Sequence, residues 1–293
     1  MNKYLIFRTD RIGDFLITAI LIKSIKINDP YSHITIIASE KNYSYIKEFP
    51  YIDKVIQIKN NFFSKINLIF SLRKLQYKYI VVHDNKKRSL FISLFLSFKK
   101  RIVIASKKKL THIEIIKDIL QKMNFIFSEE ALNTFEHKKN IIEKKRDIIQ
   151  LHFDEKWIFK DYIKEYVNIE PEANELLMFA KKIKQKTGYN LIITSGLQPP
   201  KILYDILPDL RKVNINFYDN LDFLQLEKIT LKSKILISCH GAISHVAAAN
   251  YIKQIDIIDK SYNYKKWNHH FRNYFFLYRE KFVELSKSIL EKI

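Results

Sequence analysis

Three short stretches hold the side chains that could do chemistry. In RTDRIGDFLITAI, residues 8 to 20, Arg8, Arg11 and Asp14 surround Gly13, one of only four glycines in 293 residues. A carboxylate at this point can cap the helix that follows, accepting hydrogen bonds from its first-turn amides. It can equally serve as a general base whose charge state is set by the neighbouring guanidiniums, which could also bind an anionic group. In CHGAISHVAAAN, residues 239 to 250, a turn of small residues leads into an alanine-rich segment. A helix beginning there offers free amides and the positive end of its dipole to a phosphate, through His240, Gly241, Ala242 and Ser244. His245 either donates to a phosphoryl oxygen or is a satisfied core histidine. In HFDEKWIF, residues 152 to 159, Lys156 reaches a diphosphate while Trp157 packs, or the stretch is an ordinary strand-to-helix junction capped by Asp154.

The elements that must position these groups follow from periodicity. Short β-rich apolar runs alternate with longer segments of helical period, the pattern of parallel sheets flanked by helices. In the first half the expected strands are 3–8, 34–39, 54–58, 79–84 and 101–105. Helices are expected over 14–28, 41–49, 64–76, 87–98 and 112–127. Uninterrupted apolar runs such as YIVVHD suit strands buried on both faces. Residues 128 to 147 lose the strand signal, so a domain boundary is expected there, giving domains 1–140 and 141–293. The alternation then restarts with IIQLHF, NLIITSG, NINFYD, KILISCH and QIDIID as strands, and a closing segment from 271 ends in a helix over 284–292. Gly13, Gly196 and Gly241 each follow an expected strand, where a tight turn needs positive φ or close approach to a ligand. Ligands of open α/β sheets bind beyond the carboxyl ends of the strands, so these turns are expected to line one cleft between two facing sheets.

Composition bounds the class. Two domains are the natural expectation for this length, and 47% hydrophobic residues can bury sizeable cores. The formal charge of +20 favours anionic partners, or reflects a lysine-rich composition overall, with local clusters at Lys99-Lys100-Arg101 and Lys107-Lys108-Lys109. A single cysteine, Cys239, excludes an intramolecular disulfide and a cysteine-based metal site. The N-terminal apolar run is too short for a signal peptide, and no segment reaches the roughly 18 apolar residues of a membrane span. A cytoplasmic protein is therefore expected.

The three stretches occur together and in order. RTDRIGDFLITAILIKSIK followed by FPYIDKVI (49 to 56) resembles the opening of glycosyltransferase family 9, which includes the ADP-heptose:lipopolysaccharide heptosyltransferases. Its pattern is an R-x-D-x-x-G-D turn, a helix, and later an N-P-x-I-D-x-V segment. HFDEKWIF is similar to the family's segment around K-x-W, and LQLEKITLKSKILISCHGAISHVAAAN to its D-[ST]-G-x-x-H-x-A-A region. The resemblance implies a GT-B fold of two Rossmann-like domains, the first binding the acceptor and the second the nucleotide sugar. It implies inverting, metal-independent transfer to a lipopolysaccharide-core or related glycan, with no cofactor beyond the nucleotide-sugar substrate. By position Asp14 matches the base, Lys156 a donor-contacting lysine and His245 a histidine near the diphosphate. Gly196, His240, Gly241, Ala242 and Ser244 join the donor set, and Arg8, Arg11 and Gly13 an acceptor or anion set. His240-Gly241-Ala242 stands where the family has Asp-Ser/Thr-Gly, so neither heptose nor ADP carries over.

The expected partners are thus a nucleotide-sugar donor and a glycolipid or oligosaccharide acceptor, with peripheral contact to anionic membrane at the inner face of the plasma membrane. Two other readings are a family member that has lost the donor site and a basic polyanion-binding protein. No nucleic-acid module is recognisable, and the aromatic residues do not interleave with one basic patch.

Overall fold

The apolar runs form two all-parallel sheets. The structure, a computed structural model, describes residues 1–59, 61–104, 110–138, 146–158 and 165–293. It divides into two units, Met1–His137 with Lys265–His270, and Lys138–Tyr264 with Phe271–Ile293.

In the first unit the elements run β1 (Lys3–Phe7), α1 (Ile12–Asn28), β2 (His33–Ala38), α2 (Tyr43–Ile46), β3 (Lys54–Gln57), α3 (Phe62–Arg73), β4 (Gln76–Val82), α4 (Lys87–Leu94), β5 (Ser97–Val103) and α5 (His112–Lys122). The strand order is β3-β2-β1-β4-β5. The central strands carry continuous apolar runs because both faces are covered. Helix α1 is buried continuously from Phe15 to Ile25, as expected of a helix apolar all round. Its one buried cation, Lys23, is satisfied by the Asn133 carbonyl at 2.7 Å and the Glu136 carboxylate at 2.9 Å.

The chain continues with β6 (Ile148–His152), α6 (Ala173–Thr187), β7 (Asn190–Thr194), α7 (Lys201–Asp205), α8 (Leu207–Lys212), β8 (Asn216–Tyr218), α9 (Phe223–Leu231), β9 (Ser233–Cys239), α10 (Ala242–Ala249), β10 (Lys253–Ile258), α11 (Lys265–Asn268), β11 (Tyr274–Tyr278) and α12 (Phe282–Lys292), all in the second unit except α11, which belongs to the first. The order is β11-β10-β9-β6-β7-β8. Counted within the unit this is 6-5-4-1-2-3, the Rossmann arrangement whose reversal point lies between the first and fourth strands, here β6 and β9. Its core is built from Leu151, Phe153, Trp157, Phe179, Ile193, Ile237 and their neighbours, with the Trp157 ring stacked on Phe153 at 5.1 Å.

Several expectations are corrected. The helix expected over 87–98 stops at Leu94, and Ser97–Val103 pairs in parallel with β4 as an edge strand. The run SLFISLFLSF has no polar break at that point, and the pairing edge of β4 decides where helix gives way to strand. Lys99, Lys100 and Arg101 lie on this edge, where charge discourages further pairing. The closing segment also holds a strand, β11, paired with β10; its Phe275 and Phe276 are both exposed, so no alternation announced it. The expected cluster at 107–109 and the end of the strand at Ala105 lie outside the described residues. No helix among the described residues is long and apolar enough to cross a membrane.

Candidate active site

Each unit places a polar cluster at the carboxyl ends of its central strands, where parallel sheets present loop and helix-start groups to a ligand. In the first unit, β1 ends at Phe7 and β4 at Val82, in register with each other, so Arg8 and His83 emerge side by side. Arg8 is buried; its Nε donates to Thr18 Oγ1 at 2.6 Å and its Nη1 pairs with Asp10 at 3.0 Å. Thr18 Oγ1 in turn meets His83 Nδ1 at 2.8 Å. Asp84 accepts from Thr9 Oγ1 at 2.5 Å and Ser89 Oγ at 2.7 Å, pinning the β1 loop to the start of α4. Lys86 pairs with Asp10.

Asp14 is not the residue that caps α1. Ile12 and Gly13 are already helical, so Arg11 takes the N-cap position and Asp14 falls in the first turn, where its carboxylate accepts from the Arg11 backbone N–H at 3.2 Å. Gly13 therefore does not form the turn expected of it, and Gly188 at the end of α6 is the one glycine with positive φ. Asp14 is half-buried. Burial raises its carboxyl pKa above the ordinary value, with the Arg8 guanidinium working in the opposite direction. A carboxylate made more basic by its surroundings while still reachable from solvent suits a proton acceptor. Arg11 is exposed at the helix start.

His83 is fully buried, and burial followed by the Arg8 charge holds its pKa well below the usual imidazole range. His112, at the start of α5, has its ring 4.0 Å from that of Trp267, and burial brings its pKa down to about 3. Both Nε2 atoms are buried without a hydrogen-bond partner among the described residues.

In the second unit, β6 ends at His152 and the chain turns immediately. Trp157 Nε1 donates to the His152 carbonyl at 2.8 Å, which closes the turn. Asp154 accepts from the Lys156 backbone N–H at 3.1 Å and from Lys156 Nζ at 2.7 Å. The Arg279 guanidinium donates to the Lys156 carbonyl at 3.0 Å from both Nη1 and Nη2, holding the turn from behind. Burial disfavours the Lys156 ammonium, but the adjoining Asp154 carboxylate outweighs it and the net shift is upward, so the lysine stays charged. Its head group points at the start of α10. A Cβ added to Gly241 would lie 2.6 Å from Lys156 Nζ, so glycine is what lets the ammonium close on the helix N-terminus. Gly241 itself has φ −171°, an extended conformation open to any residue.

The rest of the CHGAISH turn is organised by a residue the sequence did not single out. Asp256, on β10 beside β9, is buried and accepts from Ser244 Oγ at 2.9 Å and Tyr274 Oη at 3.1 Å, and meets His240 Nδ1 at 2.5 Å. Ser244 Oγ also accepts from the Gly241 amide at 3.2 Å. A carboxylate is thus present beside His240 although the position in the turn itself is not acidic. His245 is buried, its ring edge-on to Phe271 at 5.1 Å and 5.8 Å from the His240 ring. Ala242 opens α10. Gly196 follows β7, with nothing within 4 Å of the place its Cβ would take, so its surroundings do not demand glycine. Cys239 is buried and its thiol pKa is pushed up by that burial, which makes it inert. Among the described residues no group of three or more His, Cys, Asp or Glu side chains is placed to hold a metal ion.

Sequence reasoning missed Thr18, His83, Asp84 and Asp256. His83 and Asp84 were findable in principle, since YIVVHD ends a strand adjacent to β1, and Thr18 lies within the RTDRIGDFLITAI stretch itself. Asp256 sits inside an alternating strand pattern, QIDIID, and only the pairing of β10 with β9 brings it to His240.

Neither a family model nor a curated protein matches the sequence. Solved structures do. The Escherichia coli heptosyltransferase WaaC with ADP is 10% identical, with a TM-score of 0.75 over 99% of this chain and 100% of that one. A glycosyl transferase family 9 structure from Veillonella parvula DSM 2008 is 14% identical, with a TM-score of 0.69 over 100% of this chain and 90% of the other. The UDP-GlcNAc 2-epimerase of Methanocaldococcus jannaschii, 11% identical, gives 0.60 over 100% and 92%. The chain therefore has the two Rossmann-like units of the GT-B class, in the form seen in glycosyltransferase family 9 and heptosyltransferase structures.

Proposed function

We propose that this protein is an inverting glycosyltransferase that moves a sugar, a heptose or a related one, from a nucleotide-sugar donor to a lipopolysaccharide-core or other surface-glycan acceptor. The observation that carries the reading is the Lys156 ammonium, kept charged by Asp154 and seated against Gly241 at the first turn of α10. A cation and free helix amides at one point form a seat for a diphosphate.

In this reading the first unit binds the acceptor and the second the donor. Asp14 takes the proton of the acceptor hydroxyl as its oxygen attacks the anomeric carbon. The bond from that carbon to the diphosphate oxygen breaks with inversion, and the nucleoside diphosphate leaves with the bonding electron pair. Lys156 and the α10 amides stabilise the charge that develops on the leaving group, the task a metal ion performs in other transferases. His240 and His245, ordered by Asp256 and Phe271, flank the same helix start. The enzyme works in the cytoplasm at the inner membrane face, where its positive charge favours anionic surfaces.

The epimerase match means that fold alone does not select transfer, so the test must read the reaction. A thermal-shift screen against nucleoside diphosphates and nucleotide sugars identifies the donor, and NMR of the product then reports the anomeric configuration. Inverted product that still forms in the presence of a chelator supports the proposal. A chain stabilised by no nucleotide and transferring no sugar would sink it.

A further inference from the structure

The second unit carries another basic concavity at the opposite edge of its sheet. Where Lys156 and Gly241 lie beyond the carboxyl ends of β6 and β9, a cavity of about 480 Å³ opens at the amino ends of the strands, lined by Arg146, Lys186, Tyr189, Lys234, Tyr251 and Lys253, among others. Arg146 precedes β6, Tyr189 immediately precedes β7, Lys234 is the second residue of β9 and Lys253 begins β10. Seven strand residues separate the two edges of β9, roughly 20 Å at the usual rise per residue. The two places do not overlap.

Four cations converge there, and none of the lining side chains is acidic. None of the four has a carboxylate partner among the described residues. Lys186 Nζ donates to the Leu290 carbonyl at 2.5 Å, Lys234 donates to Tyr189 Oη and lies over its ring at 4.1 Å, and Lys253 lies over the Phe275 ring at 5.6 Å. Arg146 donates one bond to the Asn250 carbonyl at 3.2 Å, and burial lowers its pKa. These neutral partners leave N–H donors over, while the concave low-dielectric wall concentrates the positive field. Tyr189 Oη, accepting from Lys234, keeps its own proton to donate.

We infer that this pocket is a phosphate-binding site, separate from the Lys156 site, taking a phosphate group that is free in solution or carried by an anionic lipid. A phosphate offers enough acceptor oxygens for several of the cations at once and supplies negative charge. The inference stands whether or not the donor-site reading does.

The test uses the full chain with two probes, inorganic phosphate followed by calorimetry, and vesicles of phosphatidylglycerol against phosphatidylcholine followed by co-sedimentation. The double variant Lys234→Glu/Lys253→Glu should weaken binding at least tenfold. A charge-matched control at the exposed Lys201→Glu/Lys228→Glu should leave it within twofold. Loss with inorganic phosphate identifies a free phosphate as the ligand; loss with phosphatidylglycerol vesicles alone identifies a lipid headgroup. Absence of binding to either probe, or equal loss in the control, overturns the site. Should the charge reversals disturb folding, Lys234→Gln/Lys253→Gln reads the same comparison with a smaller perturbation.

Discussion

The two units place opposite charges at equivalent points. Beyond β1 in the first, a carboxylate, Asp14, is the group left to act, because Arg8 and Lys86 are drawn to Asp10 and burial makes Asp14 more basic. Beyond β6 in the second, a cation is left to act, because Asp154 holds Lys156 charged despite its burial. In the proposed reading, one topology thus yields a proton acceptor in one half and an anion seat in the other. The difference arises from which partner is buried: Asp14 stays partly open, whereas Asp154 is enclosed and Lys156 is the reachable member of the pair.

The largest expected effect is on the acceptor half. Asp14→Asn should cut transfer by about 10²–10⁴-fold, the usual worth of a general base, with thermal stability and nucleotide affinity close to wild type. Transfer at the wild-type rate would remove Asp14 from the chemistry. Next comes Lys156→Ala, expected to weaken nucleoside diphosphate binding about 10- to 100-fold, one or two charge-assisted hydrogen bonds' worth. It also strands a buried carboxylate, so denaturant melts should show destabilisation on the order of 3–5 kcal/mol. Lys156→Met should repeat the loss of affinity; retained affinity in both variants would place the diphosphate elsewhere.

Acid sharpens the comparison differently. His83 and His152 are buried and His112 and His270 half-buried, all but His152 lying in the first unit, and desolvation lowers all four pKa values, to about 3 for His112 and about 4 for His270 and His152. Each is neutral when folded and protonates near 6.5 when unfolded. Their contribution is therefore complete above about pH 6.5 and lost as the pH falls from 6.5 towards 4. Three of the four belong to the first unit, so hydrogen exchange should show that unit opening first on acidification; simultaneous opening, or the second unit first, contradicts this. The smallest effect is expected of Gly241→Ala. Its methyl displaces only the flexible end of Lys156, so donor affinity should fall a few-fold with little change in the melting temperature, and unchanged affinity would mean that the close approach is incidental.

Much of the architecture was legible because strands such as KYLIF and KILISC are buried on both faces and read as continuous apolar runs. The start of β5 and the whole of β11 were not, since they carry exposed aromatic or charged residues that break the pattern. At the candidate site, Asp14, Lys156 and the CHGAISH turn could be read because they lie in single contiguous segments. Thr18, His83 and Asp256 act through neighbours 10 to 65 residues away, and only the folded chain shows those relations. The Gly13 turn illustrates the limit of local reasoning: the helix starts earlier than expected, at Ile12, so Arg11 takes the N-cap position and Asp14 accepts its amide from the first turn.

The most direct test of the account is a calorimetric titration of the preferred nucleoside diphosphate into the wild type, Asp14→Asn and Lys156→Ala under one set of conditions. The account predicts that Asp14→Asn binds as tightly as the wild type and that Lys156→Ala binds at least tenfold more weakly. Equal affinity in all three proteins, or a loss in Asp14→Asn alone, would contradict the assignment of base and donor seat to separate units.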